Sequence, residues 1–404
     1  MSFKPIPCNA AWSLSRPPKS YLRILADWEA VVERIRLLPD CDSFLLPIPY
    51  IKLQEAASEG PVIVILVGKN QSTAIIVMPE GEPHIVDIPE ASEEALKTLY
   101  EELESTVKKL PEERQVVRKL PGLLSQLWNL LVQPIIHELT DRLCIPPQSR
   151  IWWYPTSWAS FLPLHAAGSY KKGGVSVADL YISSYTPTLQ ALRRARQIYQ
   201  GPEVDGHARL LMVSQPESEG LDELAVTEEV EVVRRLVQTT TLLSDNQATK
   251  EKVLPEMHKN SWIHLACHGV PNAADPFQSH FALKGDPLSL QDIITDDLPS
   301  AEFAYLSACH SAAQDRTLPD EGLTLAGGMH FAGFKSVVGT LWKMADDDAP
   351  MLAEGFYGAL SRESGNGRPF DCKKTAQALH EAVQKLRVEK VPLFRWVNLV
   401  HYGI

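Results

Sequence analysis

The sequence lacks the features that place a protein in a membrane or on a nucleic acid. No apolar run reaches the roughly 18 residues that are needed to span a bilayer, and residues 1–19, MSFKPIPCNAAWSLSRPPK, contain no apolar core of the signal-peptide type. The formal net charge is −11, whereas binding to a nucleic-acid backbone is driven by clustered lysine and arginine. We therefore expect neither a membrane nor a nucleic acid among its partners.

Cysteines are few and scattered. The six lie at positions 8, 41, 144, 267, 309 and 372, without a Cys-x-x-Cys pair and without a histidine–cysteine spacing typical of zinc ligands. This pattern argues against a disulfide framework and against a metal site. It favours free thiols in a reducing, cytoplasmic compartment.

The chain has 404 residues, which is long for a single simple core and predicts more than one domain or subdomain. Residues 1–60 mix helical and extended pieces, and residues 61–204 begin with three short β-rich runs that predict a meander. From residue 205 to 404, near-continuous apolar strands alternate with helices. That alternation predicts an α/β fold with a mostly parallel sheet that is covered by helices on both faces.

Two of these predicted strands end in reactive side chains. SWIHLACHG (261–269) ends at Cys267, His268 and Gly269, and EFAYLSACH (302–310) reaches Cys309 near its end. Functional groups collect at the carboxyl ends of parallel strands, so neighbouring strands that end level would bring His268 close to Cys309. A thiol attacks as the thiolate, and a nearby imidazole takes its proton. The main-chain amides of Gly269 and Cys309 then face a developing oxyanion.

A structural interpretation competes with the catalytic one. Cysteine is among the most buried residue types, and a histidine at a strand end is more often a hydrogen-bonded residue than a catalyst. His264 shares a strand face with His268, and we expect it and Ser307 in supporting roles. Cys267 points to the opposite face, where it is expected to pack in the core.

Longer blocks of the sequence resemble a known family. WIHLACHG, FAYLSACHSA and EGLTLAGGMHFAGFKSVVGTLW are similar to the CHAT family of caspase-like cysteine peptidases, which shares a clan with caspases and separases. GPVIVILVGKNQSTAIIV, RIWWYPTSWASFLPLHAAG and ISSYTPTLQAL resemble the N-terminal part of such domains, particularly fungal ones that follow tetratricopeptide repeats. The resemblance covers roughly residues 45–400, and no helical repeat array precedes it here.

The resemblance implies a fold and an activity. It implies a caspase-like sheet sandwiched by helices at 205–404 and a degenerate, pseudo-protease subdomain at 61–204. The matching positions make Cys309 the nucleophile and His268 the acid/base of an endopeptidase that acts on protein substrates without a metal or an organic cofactor. In separase-like enzymes of this clan a carboxylate a few positions past the Leu-Trp pair receives a substrate arginine, and the matching positions here are Asp346 first and Asp348 second. The resemblance therefore implies that the endopeptidase prefers a basic residue before the scissile bond, arginine over lysine. A helix start, where aspartate is favoured, is the competing interpretation of these carboxylates.

Other functions stay open at the level of sequence. A catalytically silent scaffold that keeps the fold as an interaction module is one alternative, and a cysteine-dependent acyl transferase is another. Only residues 311–320 read as a loop after the nucleophile, which is shorter than the linker that two-chain caspases cleave. We therefore expect an intact chain to be the active form, switched by an activating or inhibitory protein partner or by a regulatory domain outside this sequence.

Overall fold

The computed structural model describes residues 19–38, 44–108, 113–199, 201, 209–272, 274–308, 324–342, 344, 348–364 and 370–404. The chain divides into two compact units, residues 1–53 and residues 54–404. In the first unit, Arg36 forms an ion pair with Glu33 and donates a hydrogen bond from Nε to the carbonyl of Phe44 at 2.9 Å. The second unit contains the predicted α/β fold.

Helices and strands alternate through most of the second unit. The strands of the described residues are β1 Val62–Val67, β2 Ser72–Val77, β3 His84–Ile88, β4 Arg150–Pro155, β5 Ile182–Tyr185, β6 Leu210–Ser214, β7 Thr240–Ser244, β8 Trp262–Ala266, β9 Gly269–Val270, β10 His280–Phe281, β11 Leu288–Ser289, β12 Phe303–Leu306, β13 Ser336–Thr340 and β14 Leu399–Gly403. The α-helices of the described residues, of which α1 lies in the first unit, are α1 Lys19–Arg36, α2 Tyr50–Gln54, α3 Glu93–Val107, α4 Glu113–Leu127, α5 Gln133–His137, α6 Val177–Leu180, α7 Leu189–Ile198, α8 Thr227–Leu236, α9 Lys250–Met257, α10 Leu290–Thr295, α11 Leu325–Phe331, α12 Ala349–Ser364 and α13 Thr375–Val388.

One sheet of 11 described strands runs through the second unit, in the order β3-β2-β1-β4-β5-β14-β13-β12-β8-β6-β7. The predicted meander is present, since β1, β2 and β3 pair antiparallel. The strands β4, β5, β6, β7, β8, β12 and β13 have parallel neighbours. The fold is therefore a mostly parallel α/β sheet flanked by helices, as the sequence predicted.

The strand β14 occupies the middle of this sheet. It pairs antiparallel with β13 over five residue pairs, from Ser336 opposite Gly403 to Thr340 opposite Leu399, and parallel with β5 at Tyr402 opposite Tyr185. The strands of 61–204 and of 205–404 thus share one continuous sheet. The division of that sheet into a pseudo-protease half and a catalytic half stays a prediction.

Local sequence signals explain where several helices begin. Ser92 precedes α3 and accepts a hydrogen bond from the amide of Ala95, and Thr188 caps α7 in the same way. Pro134 lies in the first turn of α5, after a π-helical segment at Trp128–Val132. None of the helices described is both long and apolar enough to cross a membrane.

Candidate active site

The strand pair predicted to carry the site is present. β8 and β12 are parallel neighbours in register, with Tyr305 opposite His264 and Leu306 opposite Leu265. Every residue of both strands is buried, because helices cover both faces of the sheet. Their carboxyl ends therefore lie side by side at one edge of the sheet.

His268 lies two residues beyond the end of β8, where the chain leaves the buried sheet. Its Nε2 lies 2.7 Å from the main-chain carbonyl oxygen of Asp222. A carbonyl oxygen only accepts hydrogen bonds, so Nε2 carries the proton. The neutral imidazole is then left with a lone pair on Nδ1, which is the atom that can take a proton from a nucleophile.

Gly269 begins the short strand β9, which pairs antiparallel with β10 and places Phe281 opposite Gly269. The amide of Ala282 donates to the carbonyl of His268 at 2.9 Å. Successive residues of an antiparallel strand direct their main-chain groups to alternate sides. The N–H of Gly269 is consequently turned away from β10. Its role as an oxyanion donor stays a prediction.

The other strand end is described as far as Ala308. Ser307 is partly buried, whereas Ala308 is 1% exposed. The hydroxyl of Thr340 on β13 donates to the carbonyl of Ala308 at 3.0 Å, which fixes the chain just beyond β12. Cys309 and the loop 311–320 lie outside the described residues, so their predicted roles stay predictions.

His264 lies inside the sheet. Its side chain is 0% exposed, and Nε2 lies 3.1 Å from Oε1 of Glu229 while Nδ1 lies 3.0 Å from the hydroxyl of Tyr357. The ring stacks on Tyr305 at 4.7 Å between centroids and 12° between planes. Burial raises the pKa of Tyr357 well above its ordinary value, so its hydroxyl stays protonated. This hydroxyl donates a hydrogen bond to Nδ1 of the neutral ring. Nε2–H then donates to Glu229.

Of the two carboxylates predicted to bind a substrate arginine, only Asp348 is described. It immediately precedes α12, its side chain is 1% exposed, and its carboxylate contacts the guanidinium of Arg395, which is 29% exposed. Asp346 lies outside the described residues. The assignment of either carboxylate to a specificity pocket stays a prediction.

Sequence reasoning missed one group that contacts His268 and one that contacts His264. Asp222 acts through its main-chain carbonyl, which every residue type possesses, so no residue pattern could reveal it. Glu229 reads as an ordinary acidic residue in the first turn of a helix, yet it is only 1% exposed and contacts His264. Within the described part of the chain, no group of three histidine, cysteine, aspartate or glutamate side chains is arranged to hold a metal ion.

Comparisons with known proteins agree with this fold. A sequence model of the CHAT domain matches residues 122–404. The crystal structure of the Saccharomyces cerevisiae separase–securin complex at 3.0 Å resolution is similar with a TM-score of 0.57 and 13% identity, over 93% of this chain and 32% of that one. The 2.6 Å structure of the same complex gives a TM-score of 0.58 and 14% identity, over 88% and 31%.

These two structures share the fold of this protein at low sequence identity. The chain spans about a third of the length of the separase chains that it matches. A comparison with curated proteins found no match.

Proposed function

The chain belongs to the CHAT domain family, and from that premise we propose that it is a cysteine endopeptidase with Cys309 as nucleophile and His268 as acid/base. Nδ1 of His268 takes the proton of the Cys309 thiol, and the sulfur attacks the scissile carbonyl carbon. The imidazolium returns this proton to the amine as the C–N bond breaks, which leaves a thioester on Cys309. Water, deprotonated by His268, then hydrolyses the thioester and releases the carboxylic acid.

One observation carries this proposal. The contact of His268 with the Asp222 carbonyl leaves Nδ1 as a base at the end of β8, and β8 is the parallel neighbour of β12. Ala308 is anchored beyond β12 by Thr340, and consecutive Cα atoms are about 3.8 Å apart. Cys309 is the next residue in the sequence after Ala308, which supports the proposed pairing with His268.

A peptide-acyl electrophile tests the nucleophile. We expect labelling of the wild type at one cysteine, labelling lost in Cys309→Ala, and labelling slowed in His268→Ala because the thiol loses its base. Cys144→Ala is the matched control, since Cys144 is an exposed free thiol that reports unspecific reaction. Labelling that survives in Cys309→Ala would contradict the assignment. An inert Cys309 in the folded wild type would favour the scaffold alternative.

We also propose a preference for a basic residue before the scissile bond, arginine over lysine. A carboxylate in a partly buried pocket pairs bidentately with a guanidinium. Asp346 is the first candidate. Asp348 is the second candidate. It already contacts the guanidinium of Arg395, so Arg395 would have to move away before Asp348 could bind a substrate arginine.

Fluorogenic peptides that end in arginine, lysine or aspartate test this preference. We expect Asp346→Ala to lower kcat/KM for the arginine peptide by about tenfold or more, because a charge-assisted pair is lost. Asp347→Ala, one residue further along, is the matched control and should keep the preference. A wild type that prefers aspartate or apolar peptides would show that the pocket is assigned wrongly, while the dyad could stand.

We further propose that a protein partner controls the activity in a reducing, cytoplasmic compartment. The similar separase chains were crystallised with securin, which supports the idea that the fold accommodates a protein partner. Among the described cysteines, Cys144 and Cys372 carry free thiols, which fits a reducing environment. A nucleophilic cysteine needs the same reduced state.

A further inference from the structure

The loop that supplies the Asp222 carbonyl leads directly into α8. It starts after β6, where the amide of Gln215 donates to the carbonyl of Ala266 at 3.0 Å, and it ends at Val226, the residue before α8. Within the loop, the amide of Leu224 donates to the carbonyl of Pro216 at 3.1 Å. The loop that carries Asp222 is therefore joined to the end of β8 on one side and to the start of α8 on the other.

The start of α8 is tied to the sheet by a buried polar contact. Glu229 lies in the first turn of α8, and its carboxylate accepts a hydrogen bond from Nε2 of His264 at 3.1 Å. The side chains are 1% and 0% exposed. Loss of the partner of a buried carboxylate is strongly destabilising, so a shift of α8 along the sheet that breaks this contact is disfavoured.

The imidazole of His264 is itself held in one orientation. Tyr357 on α12 donates to Nδ1, and Tyr305 on β12 stacks on the ring. The side chain of His264 therefore connects α12, β12, β8 and α8. Other buried residues of α8, such as Val232 and Val233, are apolar and fix no direction, because hydrophobic packing is non-directional.

We propose that the buried Glu229–His264 contact positions His268, by holding the loop whose Asp222 carbonyl keeps the proton of that histidine on Nε2. This inference rests on the proposed function for its catalytic meaning. Glu229 and His264 are positioning residues, since they act through the loop rather than on a substrate. If the loop moves away, the imidazole loses the carbonyl that selects its tautomer, and Nδ1 no longer remains free as the base.

The experiment measures the tautomer of the His268 ring directly and the peptidase activity in a separate assay. Ring-¹⁵N-labelled histidine is incorporated into the full chain, and the His268 signals are assigned by their loss in His268→Asn. We expect the wild type to show the Nε2–H form. Glu229→Ala should give a mixture of tautomers and a kcat/KM that is lower by about tenfold or more. Glu229→Gln, which keeps an acceptor oxygen, should retain the wild-type tautomer.

Val233→Ala is the matched control, because Val233 is a fully buried residue of the same helix and its truncation weakens packing without touching the contact. It should lower Tm but keep the tautomer and the kcat/KM. If Glu229→Ala does not fold, Glu229→Asp replaces it, since that change draws the carboxylate back by one methylene group.

The proposal is overturned if the Glu229 variant lowers Tm as Val233→Ala does but leaves the His268 signals unchanged. The failure of the proposed function would look different. In that case the wild type would neither react at Cys309 nor cleave peptides, while the ¹⁵N signals would still decide whether the contact sets the tautomer.

Discussion

His165 shows, at the scale of a single residue, how burial changes the protonation of a histidine. Its Nδ1 lies 2.9 Å from the hydroxyl of Tyr185 and its Nε2 lies 3.0 Å from the carbonyl of Val397. Burial lowers the pKa of His165 to about 4, although the Val397 carbonyl offsets part of this effect. Burial also lowers the pKa of His330 and of His401. These rings are neutral parts of the interior at pH 7.

This lowered pKa predicts a loss of stability in acid. The unfolded chain binds a proton at His165 near pH 6.5 and the folded chain only near pH 4, so acidification through this window favours unfolding. At pH 5 the loss from His165 alone is about 2 kcal/mol. Urea unfolding at pH 7 and pH 5 should show a smaller pH dependence for His165→Gln than for the wild type. An equal pH dependence in both proteins would contradict this account.

The sequence predicted the burial of single residues where the alternation of side chains along a strand determines it. The alternation of strand faces predicted that Cys267 packs in the core, and it is 0% exposed. His264, whose supporting role stays a prediction, is also 0% exposed. The same reasoning could not identify Glu229 as its partner, because α8 and β8 meet only through tertiary packing. The carbonyl of Asp222 was beyond prediction for a different reason, since a main-chain group carries no side-chain signal.

At the scale of elements, β14 depends on a glycine. Gly403 has φ +95°, and a Cβ there would lie 2.1 Å from the carbonyl oxygen of Lys335. Its own carbonyl accepts a hydrogen bond from Nε1 of Trp152 at 2.7 Å. A side chain at position 403, or a shift of the backbone to make room for one, would therefore disturb the neighbouring strand.

Gly403→Ala should therefore lower the free energy of unfolding by roughly 3 kcal/mol or more, which combines the strain of a positive φ with the displacement of main chain. Gly81→Ala is the matched control, since Gly81 also has a positive φ, +84°, but nothing lies within 4 Å of its would-be Cβ. That change should cost on the order of 1 kcal/mol. Chemical denaturation measures both changes. If the two variants lost equal free energy of unfolding, the contact with the Lys335 carbonyl would be unimportant.

The sequence predicted most strands but not β14. Apolar runs bounded by turn residues revealed β1 to β3, β6 to β8, β12 and β13. The segment LVHYG contains a histidine and a glycine, and its partners β5 and β13 are distant in sequence. The residues just before α8, which begins at Thr227, form the loop that contacts His268.

At the scale of the whole second unit, β14 explains why strands from both parts of the chain form a single sheet. Its pairing with β5 on one side and β13 on the other joins the meander half to the half that carries His268. Side-chain contacts add to this connection, since Arg387 pairs with Asp179 at 2.7 Å and Arg150 donates to the carbonyl of Lys373 at 3.4 Å. Long-range pairing of this kind leaves no local pattern, so the sequence did not reveal the strand that joins these two parts of the sheet.

The most direct test of the proposed peptidase is cleavage of a peptide library by the full chain, with and without its dyad. We predict cleavage by the wild type and a kcat/KM lower by about a thousandfold or more in Cys309→Ala and in His268→Ala. The double variant should be little worse than either single one, because the two groups act as a unit. Unchanged Tm values would confirm that all variants fold. Substantial cleavage by Cys309→Ala would contradict the account.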